Sequence, residues 1–342
     1  MQTEAAHDSQ TRVLLGIDEA GYGPLLGPLT VASSAWRVPA SFDEGADLWD
    51  HLSPVVVRTR REVGKHVDRV AIADSKVLKL PRTVKTQHEL VHLERGVWAA
   101  LSCAGERDLS SDAGLMEALG VDLAELERQP WYGGEKASLP VGSSVDQLSL
   151  VSARFVSACE RAGVRPIELR CVALPEWRFN EMLGSLGVKS RVSFRVVGSL
   201  LARLWCSRAA VASVPPIALI DRQGGRLRYA QALAGALDDA VVEAVEESEI
   251  RSVYSVHTAD GARQMRVVFQ AKGDNAHLPI ALASMGAKLV RELLMMRFNA
   301  YWCGVVEGLR PTAGYTTDGR RWLDDAGEAV TDQRRRELVR RA

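Results

Sequence analysis

The chain has 342 residues, of which 46% are hydrophobic and 25% charged, a composition typical of a soluble globular protein with a sizeable core. Its 43 Lys and Arg residues balance 43 Asp and Glu residues, so no net charge attracts nucleic acid, and any such binding needs a local basic surface. The five cysteines include no CxxC pair, which favours reduced thiols in a cytosolic protein over a disulfide framework or a thiolate zinc site.

Neither the first ten residues nor the most apolar stretch of the chain predicts a membrane segment. The first ten residues are polar, so no secretory signal is predicted. The most apolar helical stretch, 278–296, contains Lys288, Arg291 and Glu292, which excludes a membrane span. We therefore expect a cytoplasmic protein without membrane contacts, and we expect it to be a monomer.

The first predicted element is a short buried strand, Val13–Ile17, which leads directly into Asp18 and Glu19. Neighbouring residues of a strand point to opposite faces, so both acids can serve one site only if the chain bends after the strand. Gly21 and Gly23 permit such a bend. The alternative is a strand that ends in a solvated acidic turn.

Strands and helices then alternate, which predicts an α/β sheet. Further strands are predicted at 29–38, 167–174 and 217–221, and helices at 81–100, 145–162, 177–186, 193–212, 227–247 and 278–299. A hairpin over 252–270 turns at Ala259-Asp260-Gly261. Its second arm brings Asp274 to the start of the last helix, where interaction with the helix dipole is the simpler interpretation of that acid.

Two predicted buried strands each end in an aspartate, Asp18 and Asp221. If these strands are parallel neighbours, the Cβ atoms of the two acids lie roughly 5 Å apart. Such a pair repels unless a cation neutralises it or one member is protonated. Together with Glu19 and Asp274 it forms a set of four acids that suits Mg²⁺ or Mn²⁺. Two such ions about 3.5–4 Å apart can promote phosphodiester hydrolysis.

The stretch Asp18-Glu19-Ala20-Gly21-Tyr22-Gly23-Pro24, with Gly27-Pro28 behind it, resembles the signature of type 2 ribonucleases H (ribonuclease HII). Other landmarks of that family follow in the same order. They are Ala73-Asp74-Ser75-Lys76, Leu219-Ile220-Asp221, Ala271-Lys272-Gly273-Asp274, Ala283-Ser284 with Ala287-Lys288 and Arg291, and Gly314-Tyr315. One such match is weak, but five in the right order are specific.

The resemblance implies a ribonuclease H-like α/β fold, a mixed five-stranded sheet flanked by helices with an inserted segment and a C-terminal helical portion. It implies a catalytic domain over 11–310, with the insertion at roughly 85–145, followed by a Tyr-containing loop and basic helical tail over 311–342. The implied activity is metal-dependent endonucleolytic hydrolysis of RNA in RNA–DNA hybrids, or at ribonucleotides embedded in duplex DNA. The products are 3′-hydroxyl and 5′-phosphate ends.

The resemblance also implies roles for individual residues. Asp18, Glu19, Asp221 and Asp274 match the family's four catalytic carboxylates, which bind the metal, so two Mg²⁺ or Mn²⁺ ions are expected. In the family, amides of the glycine turn and a tyrosine read the ribose 2′-hydroxyl. The matching substrate-binding residues are Gly21, Tyr22, Gly23 and Tyr315, while Ser75, Lys76 and Lys288 are candidates for phosphate contacts or supports of the acidic site.

Two residues depart from the family pattern. Tyr22 stands where the family usually has arginine, so a positive charge near the substrate is lost, and Thr316 replaces a proline after Tyr315. These departures leave open the alternative of a hybrid-binding protein with a decayed active site, although retention of all four acids argues against it.

A second alternative is a zinc protease, because His88-Glu89-Leu90-Val91-His92 is a literal HExxH. On a helix this spacing places both imidazoles on one face, but no histidine follows three residues later as a third ligand. An exposed helix is the simpler interpretation. The arginine-rich C-terminal segment predicts a helical or frayed, solvated tail.

Overall fold

A mixed sheet forms the centre of the computed structural model, which describes residues 11–81, 83–84, 86–106, 108–134 and 136–341. Within these residues the sheet has seven strands in the order β5-β2-β1-β6-β9-β8-β7. Its strands are β1 (Thr11–Ala20), β2 (Leu29–Pro39), β5 (Arg165–Leu174), β6 (Ile217–Asp221), β7 (Ala240–Glu247), β8 (Arg251–Thr258) and β9 (Gln264–Gln270). A separate parallel pair is formed by β3 (Val56–Val57) and β4 (Val70–Ala71).

Helices cover both faces of the sheet. In chain order they are α1 (Leu48–Leu52), α2 (Arg60–Val63), α3 (Ser75–Leu78), α4 (Val91–Ala104), α5 (Asp112–Ala118), α6 (Leu123–Glu127), α7 (Val145–Ala162), α8 (Glu176–Leu186), α9 (Lys189–Trp205), α10 (Ala230–Ala234), α11 (Gly273–Ala276), α12 (Leu278–Val305), α13 (Thr316–Ala326) and α14 (Asp332–Leu338). Short 3₁₀ turns occur at Arg208–Val211 and Gly327–Ala329. The predicted mixed sheet flanked by helices is confirmed.

The sheet separates two apolar cores, and residues of β1 alternate between them. Leu14 packs into the core that contains α4, α7 and α12, whereas Leu15 and Ile17 pack into the core beneath α8 and α9. A strand buried on both faces is apolar at successive positions, which explains the uninterrupted run that predicted β1.

Helix α12 crosses the sheet close to β1 and β2, and Gly16 makes this approach possible. A Cβ atom at Gly16 would lie 2.1 Å from the carbonyl carbon of Pro279 in the first turn of α12. The helix is buried along most of its length, which is why its sequence is apolar on nearly every side.

The prediction of five strands is wrong in number, because β7 and β8 extend the sheet beyond β9. Residues 227–247 were predicted as one helix, but α10 is a single short turn and β7 follows it after Asp239, whose φ is 58°. The β-branched Val241, Val242 and Val245 suit a strand, and antiparallel pairing with β8 outweighs the local helical pattern. The predicted hairpin of β8 and β9 is confirmed.

The helix predicted from Pro81 begins later, at Val91. Before it, Leu80 N donates to Glu89 O (2.9 Å) and Leu90 N donates to His88 Nδ1 (3.2 Å), so local bonds hold this stretch as a loop. His88 therefore precedes the helix on which His92 lies, and the helical HExxH arrangement is wrong. His92 is buried rather than exposed. Positions 82 and 85 of the predicted helix lie outside the described residues.

The C-terminal segment is helical, as predicted, but its end is anchored rather than solvated. Asn180 of α8 donates to Val339 O (2.8 Å), and Asn180 Oδ1 accepts from Arg341 N (2.8 Å). Arg340 is 2% exposed. Position 342 lies outside the described residues. No helix in the described ranges is both long and apolar enough to cross a membrane. All five cysteines lie in those ranges and are free thiols.

Candidate active site

Asp18 and Asp221 lie beside each other because β1 and β6 are parallel neighbours. The register pairs Ile17 with Ile220, so the next residue of each strand is an aspartate. Burial raises the pKa of Asp18 well above its usual value, and the charges of Asp221 and Glu19 raise it further. The two strands are thus parallel neighbours, as predicted, and their terminal carboxylates repel each other when both are ionised.

Glu19 continues the regular strand, and the bend comes after it, at Gly21, whose φ is 83°. Ser284 of α12 approaches Asp18 from one side of the sheet and lowers its pKa, against the larger effect of burial. Glu19 is instead linked to the other side: Gln223 Nε2 donates both to Glu19 Oε2 (3.2 Å) and to Ser193 Oγ of α9 (2.6 Å). Burial raises the pKa of Glu19 to about 7.

The fourth acid, Asp274, lies in the short helix α11, between β9 and α12. Lys272, with a left-handed φ of 54°, turns the chain so that Gly273 N donates to Asp221 Oδ1 (2.7 Å). Burial raises the pKa of Asp221 to about 6, and the charge of Asp274 contributes to the rise. Burial and the charge of Asp74 likewise raise the pKa of Asp274.

Lys76 faces this group of acids from the first turn after β4. Its positive charge lowers the pKa values of Glu19, Asp221 and Asp274, against the larger effect of burial. Ser75 beside it is buried, and its hydroxyl lies 3.0 Å from that of Ser284, which lowers the pKa of Asp18. The Asp74-Ser75-Lys76 segment therefore meets the four acids, although nearly 200 residues separate it from Asp274.

The four acids are candidate ligands of a divalent cation. Within the described residues, no three His, Cys, Asp or Glu side chains are gathered as a ready-made metal cluster. The alternation of Asp18 and Glu19 across the sheet accounts for the open spacing. The donor chemistry does fit, because several buried carboxylates repel one another and a hard cation would relieve that repulsion.

Lys288 is occupied in an ion pair. Its Nζ lies 2.7 Å from Glu292 Oε1, and Lys79 Nζ lies 2.7 Å from Glu292 Oε2. Burial alone would raise the pKa of Glu292, but the two lysines outweigh it and hold that pKa at about 2. Lys288 is thus neither a surface residue nor a free cation. It pairs with the buried Glu292, which the half-buried Lys79 also contacts, and these ion pairs join α12 to the residues after α3.

The glycine turn, residues 21–27, contacts the Gly314-Tyr315 segment. Gly314 O accepts from Leu25 N (2.8 Å) and Leu26 N (3.0 Å), and Arg291 Nη2 donates to Leu26 O (3.3 Å) and Ala313 O (3.0 Å). Tyr315 is 48% exposed. The structure therefore brings the two segments that the resemblance assigns to ribose recognition to one place, with Tyr22 also on the surface, 37% exposed.

Two residues that hold the glycine turn were missed in the sequence. Glu176 Oε1 accepts from Gly27 N (2.9 Å) and from Tyr132 Oη (2.9 Å). Arg340 donates to the carbonyls of Gly21 (2.5 Å) and Tyr22 (3.3 Å), and to that of Pro24 (3.1 Å from Nε). No local pattern identifies either residue, because their partners lie about 150 and 316 positions away.

The buried Glu176 predicts a pH-dependent stability. Burial raises its pKa to about 7, so between pH about 4.5 and about 7 the folded protein binds a proton that the unfolded chain releases. Stability should therefore fall as pH rises through that window. Glu176→Gln keeps the acceptor and should remove on the order of 1–3 kcal/mol of this decline.

Thermal unfolding of both proteins in chelator-containing buffer from pH 4.5 to 8 measures the difference. The other buried acids contribute equally to the two curves. The informative quantity is therefore the difference in stability between the two proteins at each pH. Parallel curves for the two proteins across the window would contradict the prediction.

A basic cavity lies on the α9 side of the sheet. It measures about 430 Å³ and lies between α9 and the segment after β6, and four arginines contribute to its lining: Arg191, Arg195, Arg226 and Arg228. The charge of Arg226 lowers the pKa of Tyr22, against the larger opposing effect of burial, so this arginine lies near the glycine turn. The neutral chain thus has the local basic surface that nucleic-acid binding needs.

No protein-family model matches the chain, and no curated protein matches it. Solved structures are similar over nearly its whole length. Ribonuclease HII of Archaeoglobus fulgidus in complex with PCNA is 17% identical, with 96% of this chain and 93% of that chain covered and a TM-score of 0.41. Ribonuclease H2 of Pyrococcus horikoshii is 15% identical, with coverage of 96% and 92% and a TM-score of 0.40. Bst-RNase HIII in complex with Mn²⁺ is 14% identical, with coverage of 98% and 68% and a TM-score of 0.39.

Proposed function

We propose that the protein is a metal-dependent endoribonuclease that hydrolyses RNA in RNA–DNA hybrids or at single ribonucleotides embedded in duplex DNA. The observation that carries this proposal is the position of four acids, Asp18, Glu19, Asp221 and Asp274, at or just beyond the carboxyl ends of the adjoining strands β1, β6 and β9, where neighbouring acids raise one another's pKa. These are the acids that the sequence resemblance assigns to catalysis. Water attacks on the 5′ side of the ribonucleotide, which leaves 3′-hydroxyl and 5′-phosphate ends.

The four acids would hold Mg²⁺ or Mn²⁺, and we propose two ions. When bound, such ions supply an activated water and stabilise charge on the leaving oxygen. The chain itself orients the ligands. Asp221 is held by Gly273 N and Glu19 by Gln223, while Asp18 Oδ1 accepts from Glu19 N (2.7 Å). Ser284, whose hydroxyl lies 3.0 Å from that of Ser75, lowers the pKa of Asp18. In this proposal Lys76 offsets part of the negative charge while the substrate phosphate approaches.

Substrate recognition is assigned to the glycine turn and the surface beside it. Backbone amides of Gly21 and Gly23 and the ring of Tyr315 contact the ribose, whose 2′-hydroxyl distinguishes RNA from DNA. The arginines of the 430 Å³ cavity bind backbone phosphates. Support for the tyrosine assignment comes from the bonds of Gly314 O to the turn, which fix Tyr315 near it.

Tyr22 and Tyr315 should respond differently to substitution. Tyr22→Arg restores a positive charge, so KM should fall and the salt dependence of binding should steepen by about one phosphate contact, with ribonucleotide selectivity retained. Tyr315→Ala removes the ring proposed to sit against the scissile ribose. Its kcat at an isolated ribonucleotide should therefore fall more than its kcat on a continuous hybrid.

Both variants are to be assayed on both substrates across a salt series. Selectivity that is lost in Tyr22→Arg and retained in Tyr315→Ala would reverse the two assignments.

The activity itself is tested with a DNA duplex that carries one ribonucleotide, incubated with Mg²⁺ or Mn²⁺, and with the all-DNA duplex as control. We expect one cut, on the 5′ side of the ribonucleotide, in the first duplex and none in the second. Equal cutting of both duplexes would refute the proposal, and so would cutting of neither duplex together with no cleavage of a continuous RNA–DNA hybrid.

The alternative of a catalytically decayed hybrid-binding protein predicts affinity for the hybrid without any cleavage, so the same assay separates it. The zinc protease alternative loses its helical basis, because His88 lies in the loop before α4. Metal analysis of the purified protein checks it, and we expect no stoichiometric zinc.

We further propose that the enzyme is monomeric and cytoplasmic, consistent with its five free thiols. We also propose a catalytic domain over 11–310, with an insertion at roughly 85–145, and a C-terminal loop and tail over 311–342.

A further inference from the structure

A second basic cavity lies between α2 and α4, outside the candidate active site. It measures about 290 Å³. Its described lining residues include three guanidinium groups and one imidazole, from Arg60, Arg61, Arg95 and His92, and no carboxylate. His92, the second histidine of the HExxH pattern, lines it, and the proposed nuclease assigns no role to this residue.

Arg95 is a buried cation without a carboxylate partner among the described residues. It is 8% exposed, and its Nη2 donates to Val67 O (2.6 Å) and Arg69 O (2.9 Å). Its Nε has no hydrogen-bond partner within those residues. The charge of Asp68 reaches Arg95, but Asp68 is ion-paired with Arg154 (3.4 Å). A buried charge without such a partner is costly, unless an anion completes the site.

His92 supplies an independent observation at the same cavity. It is 7% exposed, and its Nδ1 is buried without a hydrogen-bond partner in the described part of the chain. Burial lowers the pKa of His92 to about 4, and the charges of Arg95 and Arg60 contribute to the decrease. The ring is therefore neutral at pH 7. The positive potential that opposes its protonation would favour an anion at the same place.

We propose that this cavity binds a phosphate group through Arg60, Arg61 and Arg95, with the ring of His92 as an additional donor. Guanidinium groups match the oxygens of phosphate in pairs, and donors from two helices can surround a tetrahedral anion. The cavity is open, and Val63 and Leu80 line it beside the arginines, so a phosphate carried by a larger molecule fits. That molecule is either a free phosphorylated ligand or a nucleic-acid backbone.

Binding of inorganic phosphate tests the site without any reference to nuclease activity. In protein with isotope-labelled histidine, the NMR signal of His92 is assigned with His92→Gln and titrated with phosphate. We expect saturating phosphate to raise the pKa of His92 by at least about one unit, because a bound anion favours the protonated ring. The double variant Arg60→Ala/Arg61→Ala should bind phosphate at least about tenfold more weakly.

Lys65→Ala is the matched control, since Lys65 is an exposed cation of the same segment that does not line the cavity. It should bind phosphate like the wild type. The site is refuted if phosphate at tens of millimolar leaves the His92 signal unmoved. It is also refuted if the double variant and Lys65→Ala behave alike.

The two sources of phosphate are separated by measuring hybrid binding across a salt series in an Asp18→Asn background. If a backbone phosphate occupies the cavity, the double variant should lose affinity for the hybrid and about one unit of salt slope. If a free phosphorylated ligand occupies the cavity, the double variant should lose inorganic phosphate binding but bind the hybrid as the Asp18→Asn protein does. Both outcomes support the site and differ only in the occupant.

Discussion

Replacing Asp18 or Asp221 by Asn is expected to lower the turnover rate of ribonucleotide cleavage at least about a hundredfold while the protein stays folded. Each substitution removes a proposed metal ligand together with its charge. Burial and the neighbouring acids already disfavour ionisation of both carboxylates, so a neutral amide of the same shape should not weaken the metal-free fold.

Single-turnover cleavage and thermal unfolding in chelator measure the two parts of this prediction. Asp146→Asn is the control, because it removes an exposed carboxylate from α7, and it should change neither quantity. Near wild-type cleavage by Asp18→Asn or Asp221→Asn would remove these acids from the proposed centre. A large loss of stability would mean that their role is structural.

Replacing Arg340 by Ala should both destabilise the protein and slow cleavage. Its buried guanidinium donates to three carbonyls of the glycine turn, those of Gly21, Tyr22 and Pro24, and the substitution leaves these carbonyls without that donor. Hydrogen bonds from a charged group contribute about 1.5–3 kcal/mol each, so a loss of at least about 2–4 kcal/mol is expected. Because the turn then lies less well fixed near Asp18, kcat/KM should fall about tenfold or more.

Arg341→Ala is the matched control for this prediction. It removes the neighbouring exposed arginine but keeps the backbone N–H that donates to Asn180, so stability and cleavage should stay near wild type. Arg340→Lys keeps the positive charge but loses the forked donor, and it should recover only part of both quantities. Equal stability of Arg340→Ala and Arg341→Ala would contradict the anchoring role.

The parts of the fold that the sequence predicts are those controlled by local pattern. Helix α7 matches its predicted range, Val145–Ala162, because Ser144 and Gln147 form a capping box at its start. The prediction for β7 is wrong because this strand depends on a contact that is distant in sequence. Its helix-like spacing is overruled by pairing with β8, a tertiary contact that no local window contains.

The candidate site likewise has residues that local sequence predicts and residues that only the fold reveals. Its acids follow from short motifs at strand ends, and the parallel pairing of β1 with β6 brings Asp18 and Asp221 together as expected. The residues that hold the site, Glu176 and Arg340, act through contacts across much of the chain. Arg340 stands in an arginine-rich segment typical of a solvated surface, so only the fold reveals that it is buried.

The central claim is that the four acids bind a divalent cation that cleavage requires. The most direct measurement is a calorimetric titration of the protein with Mn²⁺, alongside cleavage of the single-ribonucleotide duplex over the same concentrations. We predict that Mn²⁺ binds the wild type and supports cleavage over the same range, and that Asp18→Asn loses both. Cleavage that persists in excess chelator, or Mn²⁺ binding that Asp18→Asn leaves unchanged, would contradict the claim.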